Sequence, residues 1–260
     1  MEKQYQAERY LLIMDIIRSE KTVQVENLAL RLNVSENTIR RDLNILAEKK
    51  MLRRTKGGAI SIMEDLSEST FKERKDKNSD SKEKIAHKAA SFINKGDTII
   101  LDGGTTSIRL AEKIRAMEHV TVLTNSLDIA NILSETKGIT LVLSGGILNR
   151  DSRTVTGIPA EKFFSEINAD KLFLAVTALS AEEGLSDQNM YETPVKMKMI
   201  ERAREVIVLA DNTKFSKRAF SPIGDLTIAD RIITDREPEK GYRKQIEEKG
   251  VELIVCLTNG

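Results

Sequence analysis

The sequence predicts an α/β chain in two parts, a small helical head closed by a β-ribbon and a larger body of alternating strands and helices. Three observations carry that reading. Within residues 5–60, apolar side chains recur at i, i+3, i+4 and i+7 in successive stretches, the period of amphipathic helices. Residues 64–84 are mostly charged and polar, with seven acidic and six basic side chains, and have the composition of a connector. From about residue 85, short β-type runs alternate with helix-like stretches, as in a mostly parallel sheet with helices on its faces. The implied division is a head over 1–62, a connector over 63–84 that is in part helical, and a body over 85–260.

In the head, Tyr10, Ile13, Met14 and Ile17 form one face of a first helix, and Val25, Leu28, Ala29 and Leu32 repeat the spacing in a second. Asn33 breaks it, Val34 plugs the turn, and Ser35 is suited to N-cap a third helix burying Ile39, Leu43 and Leu46. Leu52–Ile60 then reads as two extended stretches around a basic, glycine-containing turn. Helix, helix, tight turn, helix and wing describe a winged helix-turn-helix. In the body, Thr98–Leu101, Val120–Leu123, Ile139–Leu143, Leu172–Val176, Val206–Ala210, Ile232–Thr234 and Val251–Leu257 are the expected strands.

Composition bounds what such a chain does. Forty per cent apolar and 31 per cent charged residues suit a soluble globular protein with a sizeable core. One cysteine, Cys256, and two histidines, His87 and His119, make neither a disulfide framework nor a Cys/His zinc cage. No membrane span or signal-peptide layout is visible, so a cytoplasmic protein without metal or cofactor is expected. The formal charge of +1 hides an asymmetry. Residues 1–60 hold 12 Lys/Arg against 8 Asp/Glu, so the head is basic and the remainder mildly acidic. A polyanion partner is expected for the head alone.

Opposite its core stripe, the third helix shows Asn37, Thr38, Arg40, Arg41 and Asn44. Arginine bonds guanine bidentately or grips phosphate, and asparagine pairs with adenine. Ser35 at the helix start suits a phosphate oxygen, and Arg53, Arg54 and Lys56 on the wing reach the backbone or minor groove. A solvated basic face is the bland alternative for the helix alone. In the body, Thr98–Leu101 runs into Asp102-Gly103-Gly104-Thr105-Thr106 and then a helix, where hydroxyls and unpaired N–H groups form a natural phosphate cradle. Strand ends at Asn125 and at Gly145-Gly146 converge on the same edge of an open α/β sheet. Lys214, after another strand, either neutralises a phosphate or is an ordinary surface lysine.

Arg9-x3-Ile13-x3-Ile17, Ser35-Glu-Asn-Thr-Ile-Arg-Arg-Asp-Leu43 and Arg54-x-x-Gly-Gly-Ala59 resemble the N-terminal signature of DeoR-type bacterial repressors. Asp42, between Arg41 and Leu43, is expected to orient its two arginine neighbours rather than touch DNA. The body's loops are similar, in order, to that family's sensor domain, whose fold resembles ribose-5-phosphate isomerase. The resemblance implies a phosphorylated sugar effector held by Gly103, Gly104, Thr105 and Thr106, with Asp102, Asn125, Gly146 and Lys214 around the remainder. It further implies a repressor of a carbohydrate operon, bound to operator DNA as a dimer or tetramer and released by the effector. The alternative is an isomerase-like enzyme with a DNA-binding head. It needs a general base, and Leu174–Ser180 offers no carboxylate before Glu182 and Glu183. Binding without chemistry is therefore the favoured expectation.

Overall fold

The computed structural model describes residues 9–10, 12–14, 16–17, 20, 22–48, 52–61 and 71–256. It divides into two compact units, Met1–Ser69 and Thr70–Gly260. In the first, the described residues between 9 and 17 are helical, and Ile13, Met14 and Ile17 are buried. After β1 (Thr22–Gln24), α1 (Val25–Leu32) ends on Asn33, whose left-handed φ of 51° turns the chain. Val34 N–H then bonds the Ala29 carbonyl at 3.1 Å. α2 (Glu36–Glu48) buries Ile39, Leu43 and Leu46 completely. β2 (Leu52–Thr55) and β3 (Gly58–Ser61) form the expected ribbon, and β1 adds an unforeseen third antiparallel strand. At its junction a Cβ on Gly58 would stand 1.9 Å from the Val23 carbonyl oxygen, so only glycine lets β1 approach.

The second unit opens with α3 (Phe71–Asp76) and α4 (Ser79–Ala90). This corrects the expected connector over 63–84. Residues 62–70 lie outside the described ones, but α4 is part of the body and buries Lys82, Ile85, Ala86 and Ala89. The charge-rich sequence misleads because Lys82 is solvated internally, its ammonium donating to the main-chain carbonyls of Arg74 and Lys77.

From β4 (Thr98–Leu101) the chain runs through α5 (Thr105–Ile114), β5 (Val120–Thr124), α6 (Leu127–Leu133) and β6 (Ile139–Leu143). A hairpin, β7 (Ile147–Asn149) and β8 (Thr154–Thr156), leads to α7 (Ile158–Ser165) and β9 (Ala169–Ala175). β10 (Ala178–Ser180), β11 (Gly184–Asp187), α8 (Thr193–Arg202), β12 (Ala203–Leu209), β13 (Ser221–Gly224), β14 (Arg231–Thr234), α9 (Tyr242–Glu247) and β15 (Glu252–Val255) follow.

All seven anticipated strands join one sheet, in the order β15-β14-β12-β9-β4-β5-β6, and every pairing is parallel. Its inner strands are apolar on both faces, as burial on both sides requires. Ile99, Leu101, Phe173 and Ile207 pack under α4, α5 and α6, while Ile100, Leu172, Leu174 and Val208 pack against Phe164 of α7 and Met199 of α8. The chain winds from β4 toward β6 in one direction and from β9 toward β15 in the other. The β4/β9 boundary is therefore the topological switch point, where the loops after the two strands part and leave a crevice.

Candidate functional sites

Ser35 caps α2 as expected, its Oγ accepting Thr38 N–H at 3.1 Å and lying 2.9 Å from Thr38 Oγ1. Asn37, Arg40, Arg41 and Asn44 are exposed on one side of α2, and Arg53 and Lys56 are exposed on the wing. Arg40 is steadied by Glu36 Oε2 at 2.5 Å and Asn37 Oδ1 at 3.3 Å. Arg54 is placed differently from its neighbours. Half-buried, it donates through Nε to Asn44 Oδ1 at 2.9 Å and through Nη1 to the Gly58 carbonyl. It braces the wing against α2, so its first task is to fix the angle between the two.

Asp42 is a correction. Its carboxylate is buried and accepts Arg9 Nε at 2.5 Å and Nη2 at 3.2 Å, rather than orienting Arg40 and Arg41. This bond also raises the Arg9 guanidinium above its ordinary value. The pair ties α2 to the N-terminal helical residues. Its signal in the sequence is Asp42 standing beside Leu43 on the buried side of the helix.

In the second unit the glycine turn lies at the switch point. Gly104 precedes α5 with an extended φ of 179°, and no side chain caps this helix. Glycine is needed there for space, because a Cβ would stand 2.6 Å from Ala175 Cβ at the end of β9. Gly103 is confined likewise, a Cβ falling 2.1 Å from Thr154 Cγ2. Its N–H donates to Asn125 Oδ1 at 3.1 Å, so Asn125 shapes the loop instead of facing a ligand with that oxygen. Thr105 is half-buried, Thr106 is buried, and the buried Ser107 Oγ has no hydrogen-bond partner among the described residues. Gly146, with φ of 138°, leads into the β7–β8 hairpin, and a Cβ there would stand 2.4 Å from the Thr156 carbonyl oxygen. Lys214 is half-buried in the turn after β12, and burial lowers its pKa against the pull of Asp211.

Behind this turn lies a buried ionic cluster that sequence reasoning missed. Lys196 of α8 is 1% exposed, and its Nζ donates to Asp102 Oδ2 at 2.5 Å and the Ala175 carbonyl at 2.8 Å. Asp187 Oδ2 stands 3.1 Å from the same ammonium. Asp102 also accepts Ala175 N–H at 3.1 Å, so one carboxylate clasps the ends of β4 and β9. Glu192 accepts from Thr154 Oγ1 at 3.2 Å and Asn189 Nδ2 at 3.3 Å. Thr154 thus touches both this cluster and the Gly103 turn.

Burial works against every charge here. It raises the Asp102 carboxyl, with Lys196 opposing, and together with the charge of Asp187 pushes Glu192 up to about 7. Burial also disfavours the Lys196 ammonium, but Asp102, Asp187 and Glu192 outweigh it and raise its pKa. The structure therefore does bring carboxylates, Asp187 and Glu192, to the strand end where residues 174–180 offered none. Both are buried and bonded within the cluster.

The family description "DeoR C terminal sensor domain" matches residues 77–236, and "DeoR-like helix-turn-helix domain" matches residues 9–65. The chain is 37% identical to the uncharacterized HTH-type transcriptional regulator YulB of Bacillus subtilis (strain 168), over 95% of each chain. It is 36% identical to the HTH-type transcriptional repressor GlcR of the same organism, over 96% of each. Among solved structures, ribose 5-phosphate isomerase A from Methanocaldococcus jannaschii superposes with a TM-score of 0.41 at 20% identity, covering 54% of this chain and 56% of that one.

Proposed function

This chain belongs to the DeoR family of DNA-binding transcriptional regulators, and from that premise we propose that it represses a carbohydrate-metabolism operon until a phosphorylated sugar binds its C-terminal unit. The observation that carries the effector reading is the uncapped start of α5 at the switch point, with Lys214 two strands away. Unpaired N–H groups and the helix dipole favour a phosphate at that place. Thr105 and Thr106 supply hydroxyls, while Gly103 and Gly104 keep side chains out of the crevice. Asp102, held by Lys196, shapes the loop from behind. This is binding without turnover: the carboxylates nearest the site are committed to Lys196, Thr154 and Thr177. The test is operator binding titrated with a panel of sugar phosphates, with turnover assayed in parallel. Release by one of them without its isomerisation is expected; indifference to all of them overturns the effector reading.

On the DNA side, Ser35, Asn37, Thr38, Arg40, Arg41 and Asn44 form the proposed groove-facing set, and Arg53 and Lys56 the proposed backbone contacts. Arg54 orients them. Arg41→Ala is expected to weaken operator binding by about 1–3 kcal/mol if it reads a base. If it grips a phosphate, the salt dependence falls by about 0.9 per contact. Wild-type affinity and salt slope in a quantitative binding assay would place the recognition surface elsewhere.

A recognition helix reads one half-site, so a two-fold operator needs a second copy. Ile158 at the start of α7 is 80% exposed and Ile147 on the adjoining hairpin 71%, with Leu143 and Leu148 beside them in the chain. Large aliphatic side chains grouped on a surface mark an association face, and we assign self-association to it. The double variant Ile147→Asp, Ile158→Asp should sediment as a smaller species than wild type; an unchanged sedimentation coefficient removes the assignment.

A further inference from the structure

Glu192, just before α8, is the one carboxylate of the buried cluster that is held by neutral groups. Lys196 is engaged by Asp102 at 2.5 Å and Asp187 at 3.1 Å. Glu192, 6% exposed, instead accepts Thr154 Oγ1 at 3.2 Å and Asn189 Nδ2 at 3.3 Å. The other end of this contact is the glycine turn. A Cβ on Gly103 would fall 2.1 Å from Thr154 Cγ2, so the threonine methyl fills the place where a side chain would stand. Thr154 Oγ1 lies 2.7 Å from Ser152 Oγ and gives its single proton to Glu192, which fixes the rotamer that aims the methyl at the turn. The adjoining backbone is tied to the same place. Val155 N–H donates to the Asn125 carbonyl at 2.7 Å, and Asn125 Oδ1 accepts Gly103 N–H at 3.1 Å. Gly103 is thus gripped twice by the strand start that Glu192 anchors.

We propose that Glu192 is a positioning residue for the effector site, holding Gly103 through Thr154 and setting a carboxylate one side chain away from the incoming phosphate. This rests on the sugar-phosphate reading above and deepens it, because effector binding becomes linked to a proton. The charged groups facing Glu192 are Asp187 of β11, Asp102 after β4 and Lys196 of α8, and the hairpin adds the hydroxyls of Ser152 and Thr154. Burial, and then the charge of Asp187, push its carboxyl up to about 7. Oε1 can accept from Thr154 whether or not Oε2 carries a proton, so protonation removes the charge and keeps the hold. A phosphate beside the ionised form is repelled, and its binding draws a proton onto the carboxyl. Affinity should therefore fall as pH rises through 7.

The experiment uses the full chain labelled with 15N-glycine and follows the Gly103 and Gly104 amide resonances from pH 5.5 to 8. Both should titrate with a midpoint near 7 in wild type and stay flat in Glu192→Gln. They should move less in Thr154→Val, which keeps the side-chain shape and removes the hydroxyl. Isothermal titration with inorganic phosphate, glycerol 3-phosphate, glucose 6-phosphate and fructose 1-phosphate follows at pH 6.5 and 8. At pH 8, Glu192→Gln should bind about 3- to 10-fold tighter than wild type, the scale on which one nearby charge moves a proton equilibrium. At pH 6.5 the two should come close. The ligand's own ionisation is common to both proteins and cancels. Wild type should take up protons on binding at pH 8 and the variant should not, a difference that a merely structural glutamate would not produce. Glycine resonances that do not titrate in wild type, or titrate equally in Glu192→Gln, overturn the proposal. An unchanged amplitude in Thr154→Val removes the route through Thr154. If a ligand binds with the same pH dependence in both proteins, the proton link falls and the effector reading stands. If none of the four binds, the effector reading falls, and the amide titration alone decides what Glu192 does to the turn. Should Glu192→Gln melt early, the double variant His87→Gln, His119→Gln removes the two exposed histidines, and the Gly103 titration must survive it.

Discussion

Lys196→Met is expected to destabilise the C-terminal unit by about 3–5 kcal/mol, the cost of breaking a buried charge cluster by removing one partner. Methionine matches the length of the lysine stem and fills its place beside Val195 and Met199, so little of the loss arises from packing. The loss is electrostatic. Asp102, Asp187 and Glu192 keep their burial and lose their common cation. The pH dependence identifies the cause. Glu192 has a folded pKa of about 7, above its ordinary 4.5, so the folded state binds the extra proton between those values. Its contribution therefore favours folding at low pH and is lost as pH rises through 7. In the variant, protonation is the remaining way to discharge the cluster, so the deficit should be larger at pH 8 than at pH 6. Denaturant melts of both proteins at the two pH values decide it. A deficit independent of pH would mean that Lys196 matters for its shape.

The second large effect concerns release. Gly104→Val should raise the sugar phosphate concentration needed for operator release by about 10- to 100-fold, the range for losing charge-assisted donors. Operator affinity without effector should stay at the wild-type value. Conformational freedom is not the reason, since the extended φ of Gly104 is open to any residue. Contact is the reason. A Cβ there would stand 2.6 Å from Ala175 Cβ, so the turn must move away from β9 and carry the first amides of α5 with it. Ala175 is the residue whose N–H and carbonyl engage Asp102 and Lys196, which leaves it little room to yield. Thermal melting separates loss of ligand contact from loss of the fold. A folded variant that releases DNA at the wild-type effector concentration would place the phosphate elsewhere.

The seven parallel strands were legible because burial on two faces demands continuous apolar runs such as Thr98-Ile-Ile-Leu101 and Val206-Ile-Val-Leu-Ala210. β8, Thr154–Thr156, and β13, Ser221–Gly224, were not: each is three or four residues long, includes polar positions, and depends on pairing rather than on pattern. The glycine turn could be read locally, strand to glycines to helix. Its buried backing could not, because Lys196 meets Asp102 from 94 positions away. A local trace existed in α8, where Lys196 is buried while Met197 is 45% exposed, the reverse of what polarity suggests. In the head, Arg54 and Asp42 were read by charge alone. Their partners, Asn44 and Arg9, show that one arginine of the signature braces the wing against α2 and that its aspartate braces α2 against the N-terminal helical residues.

The strand order bears on how the chain comes off the ribosome. β4, β5 and β6 follow one another within Thr98–Leu143 and pair as they emerge, whereas β4 receives β9 only after Ala169–Ala175 has been made. Until then β4, an interior strand of the finished sheet, is an exposed edge, a template for wrong pairing in a nascent chain. The crevice at the switch point does not exist in that intermediate, since one of its walls is still untranslated. A pause in synthesis before β9 is complete would thus prolong the stage at which β4 lacks its partner.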